Sequence, residues 1–132
     1  MSADLTLGVT GYAETIVTAD LTAIALGSGD VAVYGTPALI ALLEAAAVDA
    51  LSDQLAPEST SVGVHLDVRH LAATPVGMTV RATATVTEVA GRTLTFTLEA
   101  HDAAELIATG SHQRVVVDRA RFVNSVESKQ NK

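Results

Sequence analysis

Cysteine is absent from this 132-residue sequence, which excludes disulfides, thiolate catalysis and Cys-based zinc sites. Tryptophan is absent too, and Phe and Tyr number two each, so a core must be assembled from Ala, Val, Leu and Thr. Positive charge is scarce: eight Lys and Arg stand against fifteen Asp and Glu, for a net charge of -7. With no basic cluster longer than Arg119-Ala120-Arg121, nucleic acid is not an expected partner. The longest apolar stretch is interrupted by Glu44 and Asp49, too short to cross a bilayer, so no membrane partner is expected. The leading Met1-Ser2-Ala3-Asp4-Leu5 has neither a basic n-region nor an apolar h-region. The expectation is therefore no secretory signal and a cytoplasmic location. Gly-x-Ser-x-Gly, Walker and Gly-x-Gly-x-x-Gly patterns are missing, which argues against a serine hydrolase and nucleotide-cofactor chemistry. His-Glu-x-x-His is missing as well, and no metal or other cofactor is expected.

What is present fits one domain over 1–122 with a polar, poorly ordered tail over 123–132. Apolar residues make up 48% of the chain, far more than a disordered chain carries. A first strand is expected from Tyr12 to Thr18, then a Gly27-Ser28-Gly29-Asp30 loop and a short extended piece at Val31–Tyr34. Thr36 is a good N-cap and Pro37 suits the first helical position, so a helix should start there. It should end near Leu55, before Pro57, and be buried on nearly all faces. The period then changes to two. Val62, Val64, Leu66 and Val68 alternate with polar or small residues, as do Val80 to Val86 and Leu94 to Ala100. Val89-Ala90-Gly91-Arg92 has hairpin chemistry, Ala103-Ala104-Glu105 makes a second tight link, and a last strand runs from Leu106 to Asp118. The class is α+β: one antiparallel sheet wrapped around one long helix.

Glu44 is the only charged residue between Val31 and Val48. An unpaired carboxylate among Leu42, Leu43, Ala45, Ala46 and Ala47 costs several kcal/mol once buried. It is therefore paired, neutralised, or kept for chemistry. The non-chemical alternative is a structural carboxylate paired with Arg or His across a subunit interface. Thr36 lies eight residues earlier, roughly 12 Å along the axis, so a substrate or water would have to bridge the two. Thr36 either only caps the helix or also serves a site at the helix N-terminus, where free N–H groups attract an oxyanion. His70 continues the apolar alternation of the strand before it; it is a satisfied core residue or a proton carrier. His65 falls on the opposite face, so the pair does not chelate one metal. Gly63 serves strand packing or close approach of a ligand. His112 and Arg114 share a strand face, and Arg114 meets either a phosphate or an acidic neighbour. His101, Arg119 and Arg121 read as solvated surface.

Four segments, taken in order, resemble a known family. They are Gly35-Thr36-Pro37, Leu42-Leu43-Glu44-Ala45-Ala46, Ser61-Val62-Gly63, and Val68-Arg69-His70-Leu71-Ala72-Ala73-Thr74-Pro75-Val76-Gly77-Met78. Gly110-Ser111-His112-Gln113-Arg114 adds a Gly-x-His-x-Arg segment. From Thr36 to Phe122 the chain resembles hotdog-fold thioesterases of the fluoroacetyl-CoA thioesterase-like family. The resemblance implies hydrolysis of an acyl-CoA thioester, with a catalytic Thr, Glu and His at Thr36, Glu44 and His70. It also implies a backbone contribution from Gly63 and a homodimer, or dimer of dimers, with active sites between subunits. His112 and Arg114 are then candidates for substrate binding. The stretch Ala23 to Asp30 is short and Gly-rich with no aromatic lid, so specificity for a fluorinated acyl group is not carried over. Two rival readings keep the fold: a non-catalytic hotdog dimer that binds acyl-CoA or an acyl carrier, and an acyl-CoA hydratase.

Overall fold

The computed structural model describes residues 5–131. Five antiparallel strands, β1 (Thr10–Ile16), β2 (Ser59–His70), β3 (Thr79–Ala90), β4 (Thr93–Asp102) and β5 (Leu106–Asp118), form one sheet in the order β1-β3-β4-β5-β2. Helices α1 (Ala23–Leu26), α2 (Thr36–Ala50) and α3 (Arg119–Glu127) accompany it. The expected α+β layout, one sheet around one long helix, is the one observed.

Alternation explains the centre of the sheet. Val80, Ala82, Ala84 and Val86 of β3 and Leu94, Phe96, Leu98 and Ala100 of β4 are all buried, facing α2. The helix answers with Leu39, Leu43, Ala46, Ala47 and Ala50. Burying each Leu stabilises the fold by about 1.5–3 kcal/mol; the alanines add little area but let the layers approach. The closest approach is at Gly11 on β1. A Cβ there would lie 2.1 Å from the Ala46 carbonyl oxygen and 2.2 Å from the Ala50 nitrogen, so only glycine fits beneath the helix. One residue on, the Tyr12 N–H donates to Asp49 Oδ2 at 2.8 Å.

Several expectations are corrected. The first strand begins at Thr10, two residues before the expected Tyr12, and ends at Ile16 rather than Thr18. Ala23–Leu26 forms a single helical turn capped by the Thr22 hydroxyl, which accepts from the Ala25 N–H. Helix α2 ends at Ala50, and the residues up to Leu55 are turns. It is not buried all round: Pro37, Ala41, Ala45 and Val48 form an exposed apolar stripe. Strand β2 does not keep its alternation either. Its pairing with β5 slips between Gly63 and His65, a β-bulge at Val64, and Val64 and Leu66 are 55% and 39% exposed. The polar C-terminal segment is helical. Asp118 caps α3 by accepting the Arg121 N–H at 2.9 Å, and a 3-10 turn follows over Ser128–Asn131. Met1 to Asp4 of the expected domain and Lys132 of the expected tail lie outside the described residues. Among the described residues no helix is long and apolar enough to cross a membrane.

Candidate active site

Helix α2 begins one residue away from the sequence reading, and the difference matters chemically. Its N-cap is Gly35, with φ -78° and ψ 140°, and no side chain caps the helix. Thr36 is the first helical residue, so its hydroxyl is free of capping. It sits 2.8 Å from His70 Nδ1 at the end of β2. The other ring nitrogen, His70 Nε2, is buried and has no hydrogen-bond partner. Burial lowers the His70 pKa, with the Ala72 backbone pulling the other way, so the imidazole is neutral at pH 7. The first turn of any helix offers N–H groups with no intrahelical partner. Pro37 removes one of them, leaving a partly positive helix end beside the Thr36–His70 pair.

Two turns further along α2, Glu44 belongs to a second cluster. Its Oε2 accepts from Arg114 Nη1 at 3.2 Å. Arg114 is held from three sides: Nε donates to Ser61 Oγ at 2.8 Å, Nη2 to the Ser61 carbonyl at 3.1 Å, and Nη1 to His112 Nε2 at 3.1 Å. His112 is fully buried and stacks on Phe96, with ring centroids 5.9 Å apart. Its Nδ1–H donates to the His65 carbonyl at 2.7 Å, which puts the lone pair on Nε2, where Arg114 uses it. Burial lowers the His112 pKa and the neighbouring guanidinium lowers it further, against the pull of the His65 carbonyl and Glu44. A neutral His112 makes the 3.8 Å approach of Nε2 to Glu44 a contact, and Arg114 the true counter-charge. The bulge in β2 thus has a use: it brings the His65 carbonyl onto His112.

Gly63 lies against this cluster. A Cβ on it would stand 2.6 Å from Glu44 Oε2, 3.1 Å from His112 Cε1 and 3.3 Å from Arg114 Nη1. Any side chain at 63 would displace the carboxylate.

The six candidates therefore form two groups. Thr36 meets His70; Glu44 meets Arg114, His112 and the Gly63 backbone. Among the described residues no hydrogen bond or ion pair links the two groups, as the helical spacing requires. The acidic neighbour expected for Arg114 is Glu44, in the same chain. Glu44 is not wholly buried: 36% of its side chain is accessible, enough for water or a substrate to reach it. Ser61 was legible only as part of a motif. Its role as clamp on Arg114 follows from strand pairing, since Ser61 and Gly63 lie across from Val116 and Arg114. Among the described residues no three His, Asp or Glu side chains gather as a metal site.

Comparison with known proteins bears on the fold and the family. The profile of the family described as fluoroacetyl-CoA-specific thioesterase matches residues 17–120. The fluoroacetyl-CoA thioesterase of Streptantibioticus cattleyicolor is 38% identical over 97 residues, covering 74% of this chain and 70% of that protein. A solved structure of the fluoroacetyl-CoA thioesterase FlK superposes with a TM-score of 0.89 at 31% identity, covering 95% of this chain and 97% of the other. A hot-dog-like protein from Thermanaerovibrio acidaminovorans superposes with a TM-score of 0.86 at 26% identity, over 95% and 93%. Family profile, sequence and fold agree, and the chain belongs to the fluoroacetyl-CoA-specific thioesterase family.

Proposed function

We propose that this chain hydrolyses a small acyl-CoA thioester to the free acid and CoA, with Glu44, Thr36 and His70 as its catalytic residues. One observation carries the assignment of roles: the Thr36 hydroxyl on His70 Nδ1, with Nε2 buried and unpartnered. Leaving a buried ring nitrogen unpaired costs about 1–3 kcal/mol, a cost that makes sense at a position awaiting a reacting partner. With Thr36 donating to Nδ1, the imidazole proton rests on Nε2 and can hydrogen-bond the departing thiolate, which takes its proton from the attacking water. The thioester carbonyl oxygen is placed toward the N-terminus of α2, whose dipole favours developing negative charge. Glu44 acts on the same carbonyl carbon, either as general base on a water or as a nucleophile that forms a transient anhydride. Arg114 holds Glu44 Oε2 in place for either task, and its engaged donors make it and His112 supports for Glu44. No cofactor is needed beyond the CoA of the substrate.

The working unit in this reading is a homodimer in the cytoplasm. Support comes from the unpaired edge of β2, where Val64 and Leu66 are exposed, and from the apolar stripe Pro37, Ala41, Ala45 and Val48 on α2. Both surround the candidate residues. A variant of the fluoroacetyl-CoA thioesterase FlK, 31% identical to this chain, has been solved with fluoroacetate and CoA. The test is thiol release from a panel of acyl-CoAs, from acetyl to aromatic, by the wild type and by Glu44→Gln. The amide keeps an oxygen for Arg114, so the fold should persist while activity drops about 100-fold or more. A loss of only a few-fold removes Glu44 from the chemistry. A folded wild type that binds CoA but turns over nothing favours the non-catalytic reading.

A further inference from the structure

The segment Leu71–Met78 links His70 to β3, and its Thr74 has no role in the chemistry above. Thr74 is fully buried. Its hydroxyl donates to Asp102 Oδ2 at 2.8 Å, and its carbonyl accepts the Tyr34 N–H at 2.9 Å. Asp102 ends β4 and is itself held. Its Oδ1 accepts the Ala104 N–H at 2.8 Å and the Glu105 N–H at 3.0 Å. These bonds and the Thr74 hydroxyl outweigh desolvation and hold its carboxyl below the usual range, so Asp102 is a fixed anion at neutral pH. Tyr34 is buried as well, and the next residue, Gly35, donates to the Leu21 carbonyl at 2.8 Å before α2 starts at Thr36. Val33 and Pro75 add a β-bridge on the other side of the same contact. On the strand side, the residue after His70 is tied down by the Leu71 N–H on the Ile107 carbonyl at 2.7 Å.

Both members of the Thr36–His70 hydrogen bond are thereby referred to one buried residue, whose carbonyl meets Tyr34 and whose hydroxyl is anchored by Asp102. Thr74 lies four residues after His70 and is bonded to the residue two before Thr36. We propose that Thr74, anchored by Asp102, is a positioning residue that sets the Thr36–His70 geometry. It touches neither side chain and acts by fixing the two backbone segments that carry them. A β-branched hydroxyl suits the task. Serine preserves the donor, whereas valine preserves the shape and leaves Asp102 without it. The inference rests on the reading of Thr36 and His70 as catalytic, and the experiment separates the two.

Thr74→Val, Thr74→Ser and Asp102→Ala are compared with Thr36→Val and His70→Ala in steady-state thioester hydrolysis. In parallel, the ¹⁵N shifts of the His70 ring report its tautomer in the free protein. Thr74→Val should lower kcat about 10–30-fold with KM within about two-fold, as loss of alignment at a reacting group does. Thr74→Ser should recover kcat to within about three-fold. In Thr74→Val the His70 nitrogens should move toward the averaged shifts of an exchanging imidazole, a change that loss of stability alone does not produce. Asp102→Ala cuts the same link from the other end and should give the same kinetic pattern should Thr74→Val fail to fold. Near-wild-type kcat and unchanged His70 shifts in Thr74→Val, alongside inactive Thr36→Val and His70→Ala, overturn the positioning role and leave the catalytic reading intact. Activity retained in Thr36→Val and His70→Ala overturns the catalytic reading; the ¹⁵N shifts then still decide whether Thr74 governs the pair.

Discussion

Replacing Gly63 by alanine separates activity from stability. The new Cβ would stand 2.6 Å from Glu44 Oε2, whereas ordinary contact begins at 3.4 Å. Glu44 is the far end of a flexible side chain with 36% of its surface free, so it moves and the strand stays. The carboxylate must then retreat by about 0.8 Å, on the scale at which misplacement of a catalytic group costs about 100-fold. We expect kcat/KM to fall about 30–100-fold. Stability should change little. Gly63 is not among the positive-φ glycines, so alanine fits the backbone and stabilises a strand by about 0.5–1 kcal/mol over glycine. That gain offsets much of the lateral crowding from His112 Cε1 at 3.1 Å. Thiol release with the preferred acyl-CoA gives the kinetic arm, and a thermal melt gives the other. Wild-type kcat/KM in a folded Gly63→Ala refutes the placement of Glu44 at the reacting centre. A melting point lower by more than about 10 °C, well beyond the 4–8 °C that 1 kcal/mol gives in a small domain, would show that β2 moved instead.

Arg114→Met keeps the length of the side chain but removes every donor to Glu44, Ser61 and His112. Glu44 can turn to water, but His112 Nε2 stays inside without a donor, so a loss of about 1–3 kcal/mol in a urea melt is expected; no loss would mean the cluster is not load-sharing. Burial is the first cause of lowered pKa values for both His70 and His112. The unfolded chain takes up these protons near pH 6.5 and the folded chain only lower, so the native state binds fewer protons in that window. Their stabilisation is complete above about pH 6.5 and declines as pH falls through the depressed native values. A urea midpoint that stays flat between about pH 7 and pH 5 contradicts the buried, neutral state of these rings.

The central strands were legible because β3 and β4 have one face on the helix and one outward, and alternation reports that directly. Strand β5 was found to the residue, Leu106–Asp118: the tight link over Ala103-Ala104-Glu105 marks its start, and α3 begins directly after its end. Strand β2 defeated the same logic. One inserted residue at Val64 shifts every side chain beyond it, and an edge strand has no second neighbour to enforce the pattern. The start of α2 was misplaced by one position because Gly35 and Thr36 can each serve as N-cap. The backbone chose glycine, and with that choice the threonine hydroxyl became available to His70. Glu44 and Arg114 are 70 residues apart, and only the β2–β5 register brings Ser61, Gly63 and Arg114 to one place. The α3 helix was missed because none of its residues is buried and its apolar side chains, Phe122, Val123 and Val126, cover no core.

The bond from the Tyr12 N–H to Asp49 gives the two borders of the sheet different fates. A strand edge with free N–H groups recruits other strands, and most proteins blunt such edges. Here a carboxylate from the helix answers the middle of β1, while Gly11 draws that strand beneath α2 and out of reach. Among the described residues the β2 border has no such stopper. Two copies that join along β2 would present only β1 borders to the outside, so addition ends after a single step. Asp49, remote from the candidate site, thus guards the β1 border of the sheet against the addition of a foreign strand.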